Sequence, residues 1–294
     1  MPTPAVRYAL RRLPSVPGVY RFRDGDGVVL YIGRATSLRS RVASYWSDLS
    51  GRAHLTAMVA AIAAVEAVPC VSVHEAAWLE RNLLESRLPA WNRSAGGQEV
   101  EVFIRLDAAG LSVCHSRQGR CFGPYLGGLR ARQAARGLRR ILPAGQDGEG
   151  SAAALALARG AGVTGHQDRV AAAAAILHGD AGAVRWARTE LERQRERASA
   201  VLSFELAARI QAELEALSWI ASPQRVTTES GDFEVAGIHN GVMVKFGFQS
   251  GKLRVWAQSP RSEPLPPALA PGPALTGLVQ DSAELAAALI CPVS

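Results

Sequence analysis

The sequence lacks cysteine pairs at metal-binding or redox spacing. Cys70, Cys114, Cys121 and Cys291 are scattered through 294 residues, which argues against a zinc or iron–sulfur centre and against a disulfide framework. A reducing, cytoplasmic setting is expected. Hydrophobic residues make up 48% of the chain, yet no uninterrupted apolar run is long enough to span a bilayer, so no membrane association is expected. The amino terminus opens with Pro and Arg, without the apolar core of a signal peptide. Lysine is nearly absent: the 33 basic side chains include only Lys245 and Lys252 as lysines, against 26 acids and a net charge of +7. Alanine-rich stretches point to a compositional origin for much of this arginine preference. Its distribution says more. From Leu111 to Gln146 there are seven arginines and no acid, a local field suited to a polyanion.

What is present is concentrated between Val16 and Trp46. Two short apolar strands, Gly18–Phe22 and Val28–Ile32, flank Asp24-Gly25-Asp26-Gly27, a strong hairpin signal because Asp-Gly readily supplies positive φ. Tyr20 and Tyr31 therefore belong to paired strands. After Gly33 the pattern turns helical, with Leu38, Val42 and Tyr45 on one face and Arg34 and Arg41 beside it. Two phenols and an arginine converging on one place can activate water and hold a phosphate, which suggests phosphodiester chemistry.

At these residues the sequence resembles a known family. Gly18-Val19-Tyr20 and Tyr31-Ile32-Gly33 look like the paired signature of GIY-YIG nucleases, and the surrounding PGVYRF and YIGRATSLRSRVASYW look like the amino-terminal nuclease domain of the UvrC family. The fold class this implies is α+β: a small GIY-YIG sheet-and-helix nuclease domain (1–95), closing near Ala95-Gly96-Gly97. A basic segment with an FGPY element (96–146), a Gly/Ala-rich connection (147–176), a UVR-like helical hairpin (177–222) and a β-meander with a Pro-rich tail (223–294) follow. UvrC's second endonuclease and its helix–hairpin–helix module have no counterpart, so a short, Cho-like arrangement is expected. The four-cysteine cluster of UvrC is also missing, and no iron–sulfur cluster is carried over.

Within the first ninety residues, Ala53–Val68 reads as an alanine-rich helix, Val71–Val73 as a strand added to the sheet, and His74–Leu88 as a helix closed by Pro89. A glutamate on a helix is ordinarily a solvated surface residue. Here the segment EAAWLERNLLESRLPAWN resembles the UvrC stretch carrying the metal-binding glutamate and, twelve residues later, an asparagine; these fall on Glu80 and Asn92. Glu75 and Glu85 are expected to be structural. Further on, Glu101–His115 reads as two strands around Ala108-Ala109-Gly110. The helix Leu129–Ile141 places Arg132, Arg136 and Arg139 on one face, either to meet successive phosphates or as a solvated surface. The periodicity of Leu202, Leu206, Ile210, Leu214 and Leu217 gives an amphipathic helix, paired with Trp186–Val201 in an antiparallel hairpin. SFELAARI resembles the UVR motif that engages UvrB, although Gln211-Ala212 stands where Arg-Asp is usual, and an ordinary intramolecular hairpin is the competing expectation. Phe233–Gln258 alternates around Asn240-Gly241 and Ser250-Gly251, a β-meander.

The resemblance implies a metal-dependent endonuclease that nicks one strand of damaged double-stranded DNA, with UvrB as a possible partner. Glu80 would be the protein carboxylate on one Mg²⁺ or Mn²⁺, an ion that needs few protein ligands. Arg41 would hold the scissile phosphate as a planar donor, with Arg34 and Arg39 as further DNA contacts. Tyr20 or Tyr31 would take the proton of the attacking water, with Tyr20 slightly preferred. Arg34, where the family usually has lysine, would supply a field favouring phenolate. Tyr45 would hydrogen-bond within the site or serve as a core tyrosine, and Asn92 would anchor the loop beside the metal. The alternative from another class is a catalytically weak DNA-binding adaptor.

Overall fold

The computed structural model describes residues 1–47, 55–93, 100–107, 110–142, 166–226, 231–260 and 273–291. The Ala95-Gly96-Gly97 boundary, Ala108-Ala109, the Gly/Ala-rich stretch over 143–165 and the Pro-rich stretch over 261–272 lie outside them. The chain divides into two compact units, one formed by Met1–Gln98 with Gln224–Ser294, the other by Glu99–Pro223.

The first unit is built on three antiparallel strands. The turn predicted at Asp24–Gly27 forms, with Asp24 Oδ1 accepting the N–H groups of Asp26 at 3.1 Å and Val28 at 2.8 Å. It joins β1 (Gly18–Arg23) to β2 (Val29–Ala35) in a register that sets Tyr20 opposite Gly33 and Phe22 opposite Tyr31. The other edge of β1 is taken by β3 (Ala64–Pro69). This corrects the single alanine-rich helix expected over Ala53–Val68: α3 (Thr56–Ala61) is one short piece, and the chain is extended from Ile62. Alanine propensity loses here to pairing, because an open edge on β1 would leave a row of unpaired backbone groups. The strand expected at Val71–Val73 is also corrected. Ser72 is the N-cap of α4 (Val73–Ser86), its hydroxyl accepting the Glu75 N–H at 3.0 Å.

Strand alternation divides the buried residues between two faces. On one, Tyr20, Phe22 and Tyr31 meet α1 (Pro4–Arg12), α2 (Leu38–Ala43) and α3 in a single core that includes Leu38, Val42 and Tyr45, as the helical spacing predicted. The opposite face meets α4 and β9 (Lys252–Pro260), the last strand of a meander with β7 (Phe233–His239) and β8 (Val242–Gln249). Arg21 is clamped on that side. It pairs with Glu66, donates to the Trp256 carbonyl at 2.6 Å and stacks 3.9 Å from the Trp256 ring. Burial, partly offset by Glu66, lowers the Arg21 pKa to about 10.

In the second unit, β4 (Glu101–Asp107) lies between β5 (Gly110–Cys114) and β6 (Cys121–Leu126). Among the described residues its helices are α5 (Gly128–Ile141), α6 (His166–Leu177), α7 (Ala181–Ala200) and α8 (Phe204–Ile220). The expected antiparallel hairpin is α7 and α8, linked across by Arg195 and Gln211 at 2.6 Å. Its apolar face packs against α5, where Arg140 reaches the buried Glu213 at 2.7 Å. A final helix, α9 (Pro273–Leu289), belongs to the first unit and packs on β3, β7 and β8. Among the described residues no helix is long and apolar enough to cross a membrane.

Candidate active site

Gly33 explains why the two tyrosines can meet. It sits opposite Tyr20, and a Cβ there would fall 2.6 Å from the Tyr20 hydroxyl and 2.7 Å from the Tyr31 ring. The Tyr20 ring therefore lies across a strand position that has no side chain. Gly18 serves the helix in the same way: a Cβ there would come within 2.5 Å of the Val68 carbonyl and 2.7 Å of Leu38. That close approach brings α2 onto the sheet, and α2 in turn delivers Arg41 and Tyr45.

The Tyr20 and Tyr45 hydroxyls are 2.8 Å apart, and both side chains are fully buried at 0% exposure. Tyr31 is partly exposed, its ring 6.2 Å from that of Tyr20 and 6.1 Å from that of Tyr45. Arg41, half-buried, places its guanidinium 5.3 Å from the centre of the Tyr45 ring. Burial, reinforced by the Tyr45 and Tyr31 phenols, holds Tyr20 well above the ordinary tyrosine range. Burial also raises Tyr31, with Tyr45 and the Glu80 carboxylate adding to it and Arg41 opposing it. For Arg41 burial acts against the charge, but the oxygens of Tyr20 and Tyr45 outweigh it and its pKa rises. Tyr20 and Tyr31 are thus neutral near pH 7, with a guanidinium beside them.

Glu80 approaches from α4. Its Oε1 accepts the Arg34 backbone N–H at 3.1 Å and its Oε2 lies 3.4 Å from Arg34 Nε. The sequence reading gave Arg34 a field on the tyrosines and a DNA contact; here it also grips the carboxylate. Asn92 ties the following turn to β2, accepting from the Ile32 N–H at 3.0 Å and donating to the Ile32 carbonyl at 2.8 Å. One residue thus forms both hydrogen bonds of a strand neighbour. Arg39 is exposed on α2, with its Nε donating to the Leu13 carbonyl at 2.7 Å. Glu75 and Glu85 have structural partners, Arg225 for the first and Arg81, Lys252 and Arg254 for the second.

The donor chemistry fits a hard divalent ion. No group of three or more His, Cys, Asp or Glu suited to a metal occurs among the described residues. The Glu80 side chain keeps 20% of its surface exposed, and an ionised carboxylate is an acceptor-only group through both oxygens. A lone, accessible carboxylate is sufficient for an ion that retains most of its waters.

Residues 16–93 match the UvrC-like GIY-YIG domain family. This segment is a UvrC-like GIY-YIG domain. The chain is similar to UvrC proteins: it is 32% identical over 145 residues to UvrABC system protein C of Trichlorobacter lovleyi, covering 47% of this chain and 24% of that one. It is 28% identical over 255 residues to UvrABC system protein C of Shewanella piezotolerans, covering 78% of this chain. The chain spans only 24% and 41% of the lengths of these two relatives. Among solved structures it is similar to the GIY-YIG N-terminal endonuclease domain of UvrC from Thermotoga maritima. A tyrosine point mutant of that domain bound to the catalytic divalent cation is 27% identical, covering 31% of this chain and 99% of that one, with TM-score 0.29. The magnesium-bound form is 30% identical, covering 31% and 98%, with TM-score 0.27. The matched segment, residues 16–93, contains the strands, glycines and phenols described above.

In the second unit Arg132, Arg136 and Arg139 are all exposed on one face of α5, with Arg139 reaching back to the Leu111 carbonyl at 2.7 Å. The residue that sequence reasoning missed is Arg225, the partner of the structural Glu75. Their separation of 150 positions carries no local signal.

The close contacts at Gly33 predict the effect of Gly33→Ala. The added methyl displaces the Tyr20 phenol and breaks its 2.8 Å contact with Tyr45. Overpacking of this kind costs ~1–3 kcal/mol, read as a lower urea midpoint with the far-ultraviolet circular dichroism retained. An unchanged midpoint together with an unchanged tyrosine environment in near-ultraviolet circular dichroism would contradict it.

Proposed function

We propose that this chain is a metal-dependent DNA endonuclease that makes one incision near a lesion. The observation that carries this reading is the convergence of Tyr20, Tyr31, Tyr45 and Arg41 beside Glu80 within a UvrC-like GIY-YIG domain. Glu80 would hold one Mg²⁺ or Mn²⁺, which when bound supplies positive charge to the phosphoryl and leaving oxygens.

The protein's own groups do the rest. Arg41 presents a planar donor fork to the non-bridging oxygens of the scissile phosphate, held in direction by the phenols beneath it. Tyr31 orients the attacking water and receives its proton. Burial favours Tyr31 over Tyr20 in that role, because Tyr20 is wholly enclosed whereas Tyr31 reaches the surface. Tyr20 and Tyr45 then position Arg41 and Tyr31. Arg34 sets the Glu80 carboxylate through two contacts, and Asn92 fixes the β2 backbone next to it. Arg132, Arg136 and Arg139 on α5, with Arg39, are further DNA contacts of this reading. Its partner is UvrB, which would dock on the turn of the α7–α8 hairpin. There Val201 (74%), Leu202 (73%) and Phe204 (65%) are largely exposed, an apolar tip that favours a protein partner.

The pH dependence of cleavage tests the proton assignment. Because the Tyr31 pKa is raised, the fraction able to accept a proton increases with pH above neutrality, so the single-turnover rate is expected to climb about tenfold per pH unit from pH 7 to 9. Tyr31→Phe is expected to lower the rate by ~10²–10⁴-fold and to flatten the slope. A Tyr31→Phe variant that keeps the slope, while Tyr20→Phe loses it, would return the role to Tyr20.

A further inference from the structure

On the outer face of α1 lies an open groove of about 690 Å³, lined by Pro4, Arg7, Tyr8, Arg11, Arg12 and Cys291. The helix is amphipathic: Val6 and Ala9 are buried in the core, so the three arginines project from the other side. Among the described residues they belong, with Arg41, Arg132 and Arg136, to the arginines without a carboxylate partner. Arg21, Arg23, Arg34, Arg81, Arg140, Arg193 and Arg225 each meet a carboxylate. Among the described residues Arg7, Arg11 and Arg12 meet none. Arg7 reaches only the Pro2 carbonyl at 3.4 Å, and Arg12 stacks 4.4 Å from the Tyr8 ring. No acid occurs in α1.

Cations at a helix C-terminus gain some dipole energy, which accounts for Arg11 and Arg12 in the last turn but not for Arg7 near the middle. Nor does the dipole explain an acid-free groove. Three guanidiniums in one shallow, open, acid-free groove suit an extended polyanion such as a nucleic-acid backbone better than a compact substrate, which would call for convergent, enclosed donors. The groove is also mechanically linked to the active-site helix. Arg39 at the start of α2 donates to the Leu13 carbonyl, and the Arg39 and Leu38 N–H groups bond the Pro14 and Val16 carbonyls at 3.1 and 3.0 Å.

We infer that Arg7, Arg11 and Arg12 form a binding surface for the phosphate backbone of duplex DNA, on the α1 flank of the GIY-YIG domain. The inference deepens the nuclease reading and rests on it for the choice of DNA. These arginines touch no base edge and no reacting atom. They add affinity and hold the duplex against the α1–α2 pair, leaving the chemical step to Arg41, Tyr31 and Glu80.

The test is the salt dependence of equilibrium binding, measured by fluorescence anisotropy on the full chain with a labelled duplex in Ca²⁺. The Arg7→Gln/Arg11→Gln/Arg12→Gln variant is compared with the corresponding triple lysine variant and with the wild type. The slope of log K against log[salt] is expected to shrink by ~2–3 in the glutamine variant, with at least ~10-fold weaker binding at 0.1 M salt, and to be kept by the lysines. Single-turnover cleavage at saturating DNA should stay within about twofold of wild type. Cys291 lines the same groove, so duplex DNA should also slow its alkylation in the wild type, read by peptide mass spectrometry. An unchanged slope and affinity in a folded glutamine variant overturn the inference. So does loss of inorganic phosphate binding with the DNA slope retained, which would make the groove a small-anion site. If the glutamine variant does not fold, Cys291 alkylation that DNA leaves untouched overturns it instead. Wild-type protein that binds with the expected slope but never cuts would sink the nuclease reading and leave this surface standing.

Discussion

Replacing Glu80 by glutamine is expected to remove divalent-ion stimulation and to lower single-turnover DNA cleavage by ~10³-fold or more. The substitution keeps the shape of the side chain and an oxygen that can accept the Arg34 N–H now received at 3.1 Å, so β2 and α4 should stay in place. What it removes is the negative charge that would hold the ion. Lewis-acid stabilisation of a phosphoryl transition state is worth several kcal/mol, and each ~1.4 kcal/mol is a factor of ten. DNA binding should be retained or strengthened, because a carboxylate is withdrawn from beside Arg34. Quantitative cleavage assays with Mg²⁺ and Mn²⁺, paired with anisotropy, separate the two effects. Cleavage within tenfold of wild type would exclude Glu80 as the metal ligand.

The second large effect is structural and lies on the back of the same sheet. Arg225 binds the fully buried Glu75 through Nη2 at 3.1 Å and through its backbone N–H at 2.8 Å, and also reaches the Pro69 carbonyl at 3.0 Å. Glu75 in turn accepts the Val71 N–H at 2.9 Å, fixing the entry into α4, the helix that carries Glu80. Removing Arg225 leaves a buried carboxylate without its counter-ion, a loss of ~3–5 kcal/mol in comparable pairs. Arg225→Met should therefore lower the urea midpoint strongly, and Arg225→Met with Glu75→Leu should recover much of the loss. The exposed contact of Arg225 with Asp281 contributes ~0–1 kcal/mol of this at most. A midpoint shift below ~1 kcal/mol in Arg225→Met would show that segment 224–226 does not hold α4 in place.

The hairpin was legible because its signals are local. Asp24-Gly25-Asp26-Gly27 fixes the turn, the turn fixes the register, and the register sets Tyr20 opposite Gly33. Tyr45 was legible for the same reason, four positions on from Arg41 along one turn of chain. β3 was not legible, since Ala64, Val65 and Ala67 suit a helix as well as a strand, and only the open edge of β1 decides between them. Arg34 was readable as a cation beside the tyrosines but not as the partner of Glu80, which lies 46 positions away. Still less visible was the return of the chain to the first unit after Gln224. The contacts that hold it there, such as Arg21 to the Trp256 carbonyl, join residues 235 positions apart and leave no periodic trace. The α1 arginines read as ordinary basic residues until the fold placed all three along one open groove.

The central claim is hydrolysis of a DNA phosphodiester at the Tyr31–Arg41–Glu80 site. The measurement that tests it most directly is incubation of an end-labelled duplex bearing one bulky adduct with Mg²⁺, with and without UvrB, followed by resolution of product lengths and end groups. The account predicts a single nick leaving a 3′-hydroxyl and a 5′-phosphate, because water attacks phosphorus and the 3′ oxygen departs. An uncut duplex under every condition, or a tyrosine-linked protein–DNA adduct in place of the free 5′-phosphate, would contradict it.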